Sequence, residues 1–244
     1  MRGFILGALT GLVVASVLRR AKLEGVTQER LNRYYERRAH NYNLTDYLYL
    51  GQFPRVEMRK RVIALSGMKA GDHVLDFACG AGANFPYIME KIGPSGRLVA
   101  TDYSEHMLDA AQNVVDENGW RNVTLVQGDA AQMEFDQKFD VVMCTLGLAV
   151  IPGWQEAMQR GWAHLKPGGA FAIGDLSESR RWYTRPFSFL NDLIDTAIIA
   201  DSSRRPWEWM QRAGNGYRRE EIFHGYFYAA VVRKPLEVAV NGRE

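Results

Sequence analysis

Three acids and two glycines are spaced to hold a small polar ligand. Asp76 sits in the apolar run Val74-Leu75-Asp76-Phe77, ahead of Gly80-Ala81-Gly82. Asp102 closes a second apolar run, about twenty residues beyond the glycines. Gly128-Asp129-Ala130 closes a third. Carboxylates at strand ends accept hydrogen bonds where open α/β sheets bind ligands, so Asp102 reads as the acceptor for two ribose hydroxyls. Gly80 and Gly82 let the backbone approach a ligand where a Cβ would collide. Phe85 stands where a dinucleotide fingerprint needs its third glycine, so a pyrophosphate is disfavoured. An acid ahead of the glycines instead suits a ligand carrying an amine. His40, His73, His106, His164 and His224 lack metal-ligand spacing, and no metal site is expected. Cys79 and Cys144 each end an expected core strand, which gives no disulfide framework and fits a reducing compartment.

The elements that must position these residues follow from periodicity. Strands are expected at Val74–Asp76, Arg97–Thr101, Val123–Gln127 and Phe139–Cys144, with a fifth running through Asp175 after a Leu165-Lys166-Pro167-Gly168-Gly169 turn. A helix starts at Asn84, and Ser104 caps another that carries Met107, Leu108 and Ala111 at helical spacing. Phe53 to Ser66 reads helical, and Tyr217–Phe223 and Tyr226–Arg233 read as an antiparallel edge. The fold expected is α/β: a doubly wound, seven-stranded Rossmann-like sheet. The chain of 244 residues is long enough for one such domain and an appendage. Its net charge of +2 gives no global electrostatic case for nucleic acid.

The order of glycine loop, acid, Gly-Asp-Ala, apolar strand and Leu-Lys-Pro-Gly-Gly, from residue 72 to 175, resembles the class I S-adenosylmethionine (SAM)-dependent methyltransferases. The resemblance implies SAM as cofactor, held by Asp76, Ala78, Cys79, Gly80, Gly82, Asp102, Tyr103, Met107, Asp129, Ala130 and Cys144. In the family the glycine loop wraps the methionine part and the acid at Asp129 commonly bonds the adenine amino group. Upstream, Tyr35-Glu36-Arg37-Arg38-Ala39-His40-Asn41-Tyr42-Asn43 is similar to a lid found in many members, with Asn43 in place of the commoner Asp. That segment resembles bacterial phospholipid and amino-lipid N-methyltransferases, and also quinone C-methyltransferases. It makes Tyr35 and Tyr42 the expected catalytic pair: a phenol to orient the acceptor and a ring face to stabilise a cationic product.

Ahead of this domain, residues 3–18 are apolar and uncharged, between Arg2 and Arg19-Arg20. As a helix they span about 24 Å, and flanking arginines extend that toward a ~30 Å hydrocarbon core. An uncleaved membrane anchor is expected, with a signal peptide as its rival. The basic excess after it places the catalytic domain on the cytoplasmic side. A small-residue stripe (Gly3, Gly7, Gly11) offers a face for a homodimer. The expected organisation is an anchor at 1–20, amphipathic and lid helices at 21–66, the methyltransferase domain at 67–235 and a tail at 236–244.

The expected function is membrane-anchored N-methylation of a lipid amine headgroup such as phosphatidylethanolamine. The alternative is a quinone ring carbon or a lipophilic thiol. The loop around Cys79 and the Cys144-Thr145-Leu146 segment also resemble membrane-associated thiol methyltransferases. A third alternative is a non-catalytic SAM-binding scaffold. The expected partners are a membrane and a lipophilic substrate, with no nucleic acid.

Overall fold

The computed structural model describes residues 27, 29, 31, 33, 34, 52–187, 195 and 199–236. Helix α1 (Gln52–Ser66) has Pro54 in its first turn, where a missing N–H costs little. It stops at Gly67, whose φ of 67° only glycine adopts freely. Then follow β1 (His73–Phe77), α2 (Phe85–Ile92), β2 (Arg97–Asp102), α3 (Glu105–Asn118), β3 (Val123–Gln127), β4 (Phe139–Thr145), α4 (Trp154–Ala163) and β5 (Leu165–Leu176). A 3₁₀ turn (Trp182–Phe187), α5 (Pro206–Ala213), β6 (Asn215–Ile222), a second 3₁₀ turn (Phe223–Gly225) and β7 (Phe227–Arg233) complete the fold.

The seven strands form one sheet in the order β3-β2-β1-β4-β5-β7-β6. Strands β1 to β5 are parallel, and β7 runs antiparallel between β5 and β6. The antiparallel strand therefore lies one place in from the edge, because β6 returns along its outer side. The Leu-Lys-Pro-Gly-Gly segment is not a free turn. Leu165 pairs with Phe139 and Ala170 with Val141, so residues 166–169 bulge out of a strand that has already begun.

Apolar side chains cover both faces, as a mainly parallel sheet requires. Met58 and Val62 of α1 pack with Val74, Val141 and Ala172 on one face. Phe77, Phe171 and Val142 pack with Met158 and Met210 on the other. Glycines mark the closest approaches: a Cβ on Gly174 would lie 2.5 Å from Val62 and 2.7 Å from the Met58 sulfur. Among the described residues no helix is long and apolar enough to cross a membrane. The expected anchor, its glycine stripe, Tyr35 and Tyr42 all lie outside the described residues.

Candidate active site

All five parallel strands end at one edge of the sheet, and the loops after β1 to β4 line a cleft of about 850 Å³, open mouth included. Ala78, Cys79, Gly80, Asp102, Tyr103, Met107, Asp129 and Ala130 line it, as do Ser104, Thr145, Leu146, Gly147, Val150 and Ile151 on the loops after β2 and β4. Two residues from far upstream join them: Arg59 of α1, and Leu31.

Asp102 ties two loops to the end of β2. Its carboxylate accepts the Gly80 N–H at 2.8 Å and the Ser104 N–H at 2.9 Å. Burial raises its pKa, and the Ser104, Gly80 and Tyr103 N–H groups pull it back down. With three N–H groups on it, the carboxylate keeps about one lone pair for a further donor. Gly80, at φ 57°, has nothing within 4 Å of the place a Cβ would take, so its backbone presents an open face to the cleft. Asp129 orders its own turn by accepting the Ala131 N–H at 2.9 Å.

Asp76, Gly82 and Cys144 do not line the cleft, and each has a physical reason. Asp76 is fully buried, and both its oxygens accept from Asn84 Nδ2, at 3.1 and 2.9 Å. Burial pushes its pKa up to about 7, against the pull of the Asn84 bond and the Arg59 charge. The Cβ position of Gly82 is taken by the Phe85 ring at 2.8 Å, so this glycine makes room for a core aromatic instead of a ligand. Cys144 is sealed inside the sheet. Burial likewise raises both thiols well above their usual range, so Cys79 and Cys144 stay protonated at neutral pH.

A polar network links these buried groups to the cleft. Arg59 donates from Nη1 to Asn84 Oδ1 at 2.7 Å and to Thr145 Oγ1 at 2.5 Å. Asn84 Nδ2 donates to Thr145 Oγ1 at 2.9 Å, and the threonine hydroxyl lies 3.1 Å from Asn84 Oδ1. A guanidinium is thereby fixed at the wall while its charge helps to balance the carboxylate beneath.

The post-β4 loop supplies the apolar wall. Leu146 lies at φ 58°, an uncommon conformation for leucine, and its N–H reaches Gly174 O at 2.8 Å. Asp175, at the end of β5, accepts the Ala149 N–H at 2.9 Å. Arg204 donates to the carbonyls of Leu148 and Ile151, at 2.5 and 2.6 Å. The wall is thus bolted from two sides.

The cleft fits the cofactor implied by the resemblance. It combines an open glycine face, an acid with a spare lone pair at the ribose position, a cation for a carboxylate and apolar surface beyond. Ser104 adds a buried hydroxyl oxygen with no partner among the described residues. Among those residues no cluster of His, Cys, Asp and Glu would hold a metal ion.

Comparison with known proteins agrees with this geometry. A family model described as a methyltransferase domain matches residues 74–169. The chain is 30% identical over 182 residues to the chloroplastic 2-phytyl-1,4-beta-naphthoquinone methyltransferase of Arabidopsis thaliana, covering 72% of this chain and 69% of that one. It is also 30% identical over 152 residues to the demethylmenaquinone methyltransferase of Listeria welshimeri, covering 62% of this chain. The alignment spans 64% of that bacterial relative's length. In three dimensions the chain is similar to an O-methyltransferase family protein from Burkholderia thailandensis. That match has a TM-score of 0.64 at 19% identity and covers 87% of this chain and 64% of the other, a likeness of fold.

Proposed function

The chain belongs to the class I SAM-dependent methyltransferases, and from that premise we propose that it methylates a ring carbon of a reduced, lipophilic quinone. One observation carries this choice of acceptor: the 182-residue alignment with a naphthoquinone methyltransferase, which extends beyond the family core into both flanks.

When bound, SAM supplies an electrophilic methyl group that already carries its leaving group, a neutral thioether. In this reading Asp102 accepts the ribose hydroxyls, Asp129 the adenine amino group, and Arg59 pairs with the amino-acid carboxylate. Asp76 acts through Asn84, holding the side chain that positions Arg59. Leu31, Leu146, Val150 and Ile151 hold the apolar ring system and keep water out. A reduced quinone brings its own activation, since a ring hydroxyl donates electron density to the neighbouring carbon. With SAM bound, that carbon would take the methyl group, S-adenosylhomocysteine would leave as a neutral thioether, and the ring proton would pass to solvent. The protein's task is alignment and exclusion of water. Residues 3–18 are proposed to anchor the chain to the membrane that holds such an acceptor, with the catalytic domain on the cytoplasmic side.

A lipid amine is the second reading, since the Tyr35–Asn43 segment resembles lipid N-methyltransferases as well as quinone C-methyltransferases. Incubation with methyl-labelled SAM and a reduced, prenylated naphthoquinone lacking the ring methyl separates the two. Label on the ring carbon supports the proposal. Label transferred only to phosphatidylethanolamine, supplied in parallel, overturns it.

A further inference from the structure

Six large apolar side chains of the described residues are exposed: Phe53, Val126, Trp182, Tyr183, Phe223 and Leu236. Three of them, Trp182, Tyr183 and Phe223, cluster around Tyr183 and His224 at the edge of the sheet where the cleft opens, and Phe53 lies toward that edge. Trp182 (78% exposed) and Tyr183 (42%) begin the turn that follows β5, their rings edge to face at 5.8 Å. Phe223 (53%) caps β6, which ends at the same edge because it runs parallel to β5.

The patch is built, not frayed. Tyr183 packs edge-on against His224 at 5.8 Å, and its hydroxyl lies 3.1 Å from His224 Nδ1. Phe223 also packs against that imidazole, at 5.6 Å. Phe223 and His224 are consecutive non-glycine residues in the left-handed region, at φ 47° and 58°. Such a pair is costly and persists only when its surroundings hold it. Ser179 Oγ donates to His224 O at 2.5 Å and Ser177 Oγ to Gly225 O at 2.6 Å, which supplies that hold. The strained turn keeps a phenyl ring in the open.

Phe53 (77% exposed) lies toward the same edge, on α1. The helix C-terminus lies at the opposite edge, where Ser66 O accepts from Arg233 at the end of β7. Met58 and Val62 cross Gly174 near the end of β5. Phe53 is therefore about 7 Å farther along the axis than Met58, toward the end of β5.

We propose that this edge seats on a phospholipid bilayer, with Trp182, Tyr183, Phe223 and Phe53 in the headgroup region. Tryptophan and tyrosine, each an apolar body with a polar tip, suit that layer. The acid beside them, Glu221, is paired with Arg181 at 3.2 Å and Arg219 at 3.3 Å, which lessens its repulsion from an anionic surface. Helix α1 begins toward this edge, and the apolar run 3–18 lies upstream in the sequence. Only the purpose of this seating rests on the proposed function: a cleft mouth facing the bilayer receives a lipophilic acceptor without passage through water.

The test uses the full chain, vesicles of phosphatidylcholine brominated near the headgroup, and a Trp182→Phe variant. That exposed substitution leaves the fold intact, and neither SAM nor an acceptor is needed. Failure here is therefore distinguishable from failure of the proposed chemistry. The expected result is strong quenching of tryptophan fluorescence in the wild type, with most of it lost in Trp182→Phe while the variant still sediments with the vesicles. Equal quenching in both proteins would overturn the proposal, as would sedimentation of the wild type without quenching, the pattern of a patch covered by another protein surface. Absence of vesicle binding by the wild type would overturn it too.

Discussion

Asp102 has two tasks, which makes its removal informative. Its carboxylate holds the Gly80 and Ser104 N–H groups, and it also lines the cleft. Asp102→Ala should lower SAM affinity by roughly tenfold to over a hundredfold, since a hydrogen bond to a charged group contributes about 1.5–3 kcal/mol. It should also lower the melting temperature, because two loop donors lose their acceptor. Calorimetry giving wild-type affinity would end the ribose assignment. Asp76 makes a different prediction. Its pKa rises from 3.8 to about 7 on folding, so the folded protein keeps a proton that the unfolded chain releases. The unfolded state binds fewer protons between about pH 4 and pH 7, so this residue's contribution falls as pH rises through that window. Asp76→Asn removes the effect. Denaturation of both proteins across the window should show the variant gaining on the wild type, by a total on the order of 4 kcal/mol. A pH-independent difference would mean that Asp76 is ionised throughout.

Helix α1 both covers the sheet and delivers Arg59 to the cleft wall. Gly174 sets its height, since a methyl group there would meet Val62 and Met58 at 2.5 and 2.7 Å. Gly174→Ala should lift the helix, at about 1–3 kcal/mol for overpacking. Arg59 would then be drawn from Asn84 and Thr145, so SAM affinity should fall together with the melting temperature. Wild-type affinity in a destabilised variant would separate α1 from the site. This dependence was not legible in the sequence. Arg59 meets its partners 25 and 86 positions away, and an arginine on a helix rich in arginine and lysine carries no local mark. Asp102 and Asp129 were legible because each ends an apolar run at a fixed distance from the glycine loop. The strands were legible for the same reason: buried strands read as apolar runs. Gly82 was not, because a glycine making room for a ring looks the same as one making room for a ligand. Nor was the placing of β7 between β5 and β6, since pairing two strands does not say which one is outermost.

At the scale of the whole molecule, one edge of the sheet gathers the features that bear on function. The cleft opens there, exposed Trp182, Tyr183 and Phe223 cluster there, and helix α1 begins toward it. The opposite edge carries the bulge of residues 166–169 and the Lys166–Asp140 ion pair at 2.8 Å. This polarity suits an enzyme that takes a lipophilic acceptor from a membrane and a water-soluble methyl donor from the aqueous side. The most direct measurement is a competition in one vesicle preparation. Equal amounts of phosphatidylethanolamine and a reduced, prenylated naphthoquinone lacking the ring methyl are offered to the full chain with methyl-labelled SAM, and the products are resolved by mass. Label is expected on the naphthoquinone ring carbon, formed with an equal amount of S-adenosylhomocysteine, and none on the amine. Label on the phosphatidylethanolamine nitrogen, with the ring unlabelled, would contradict the proposed acceptor.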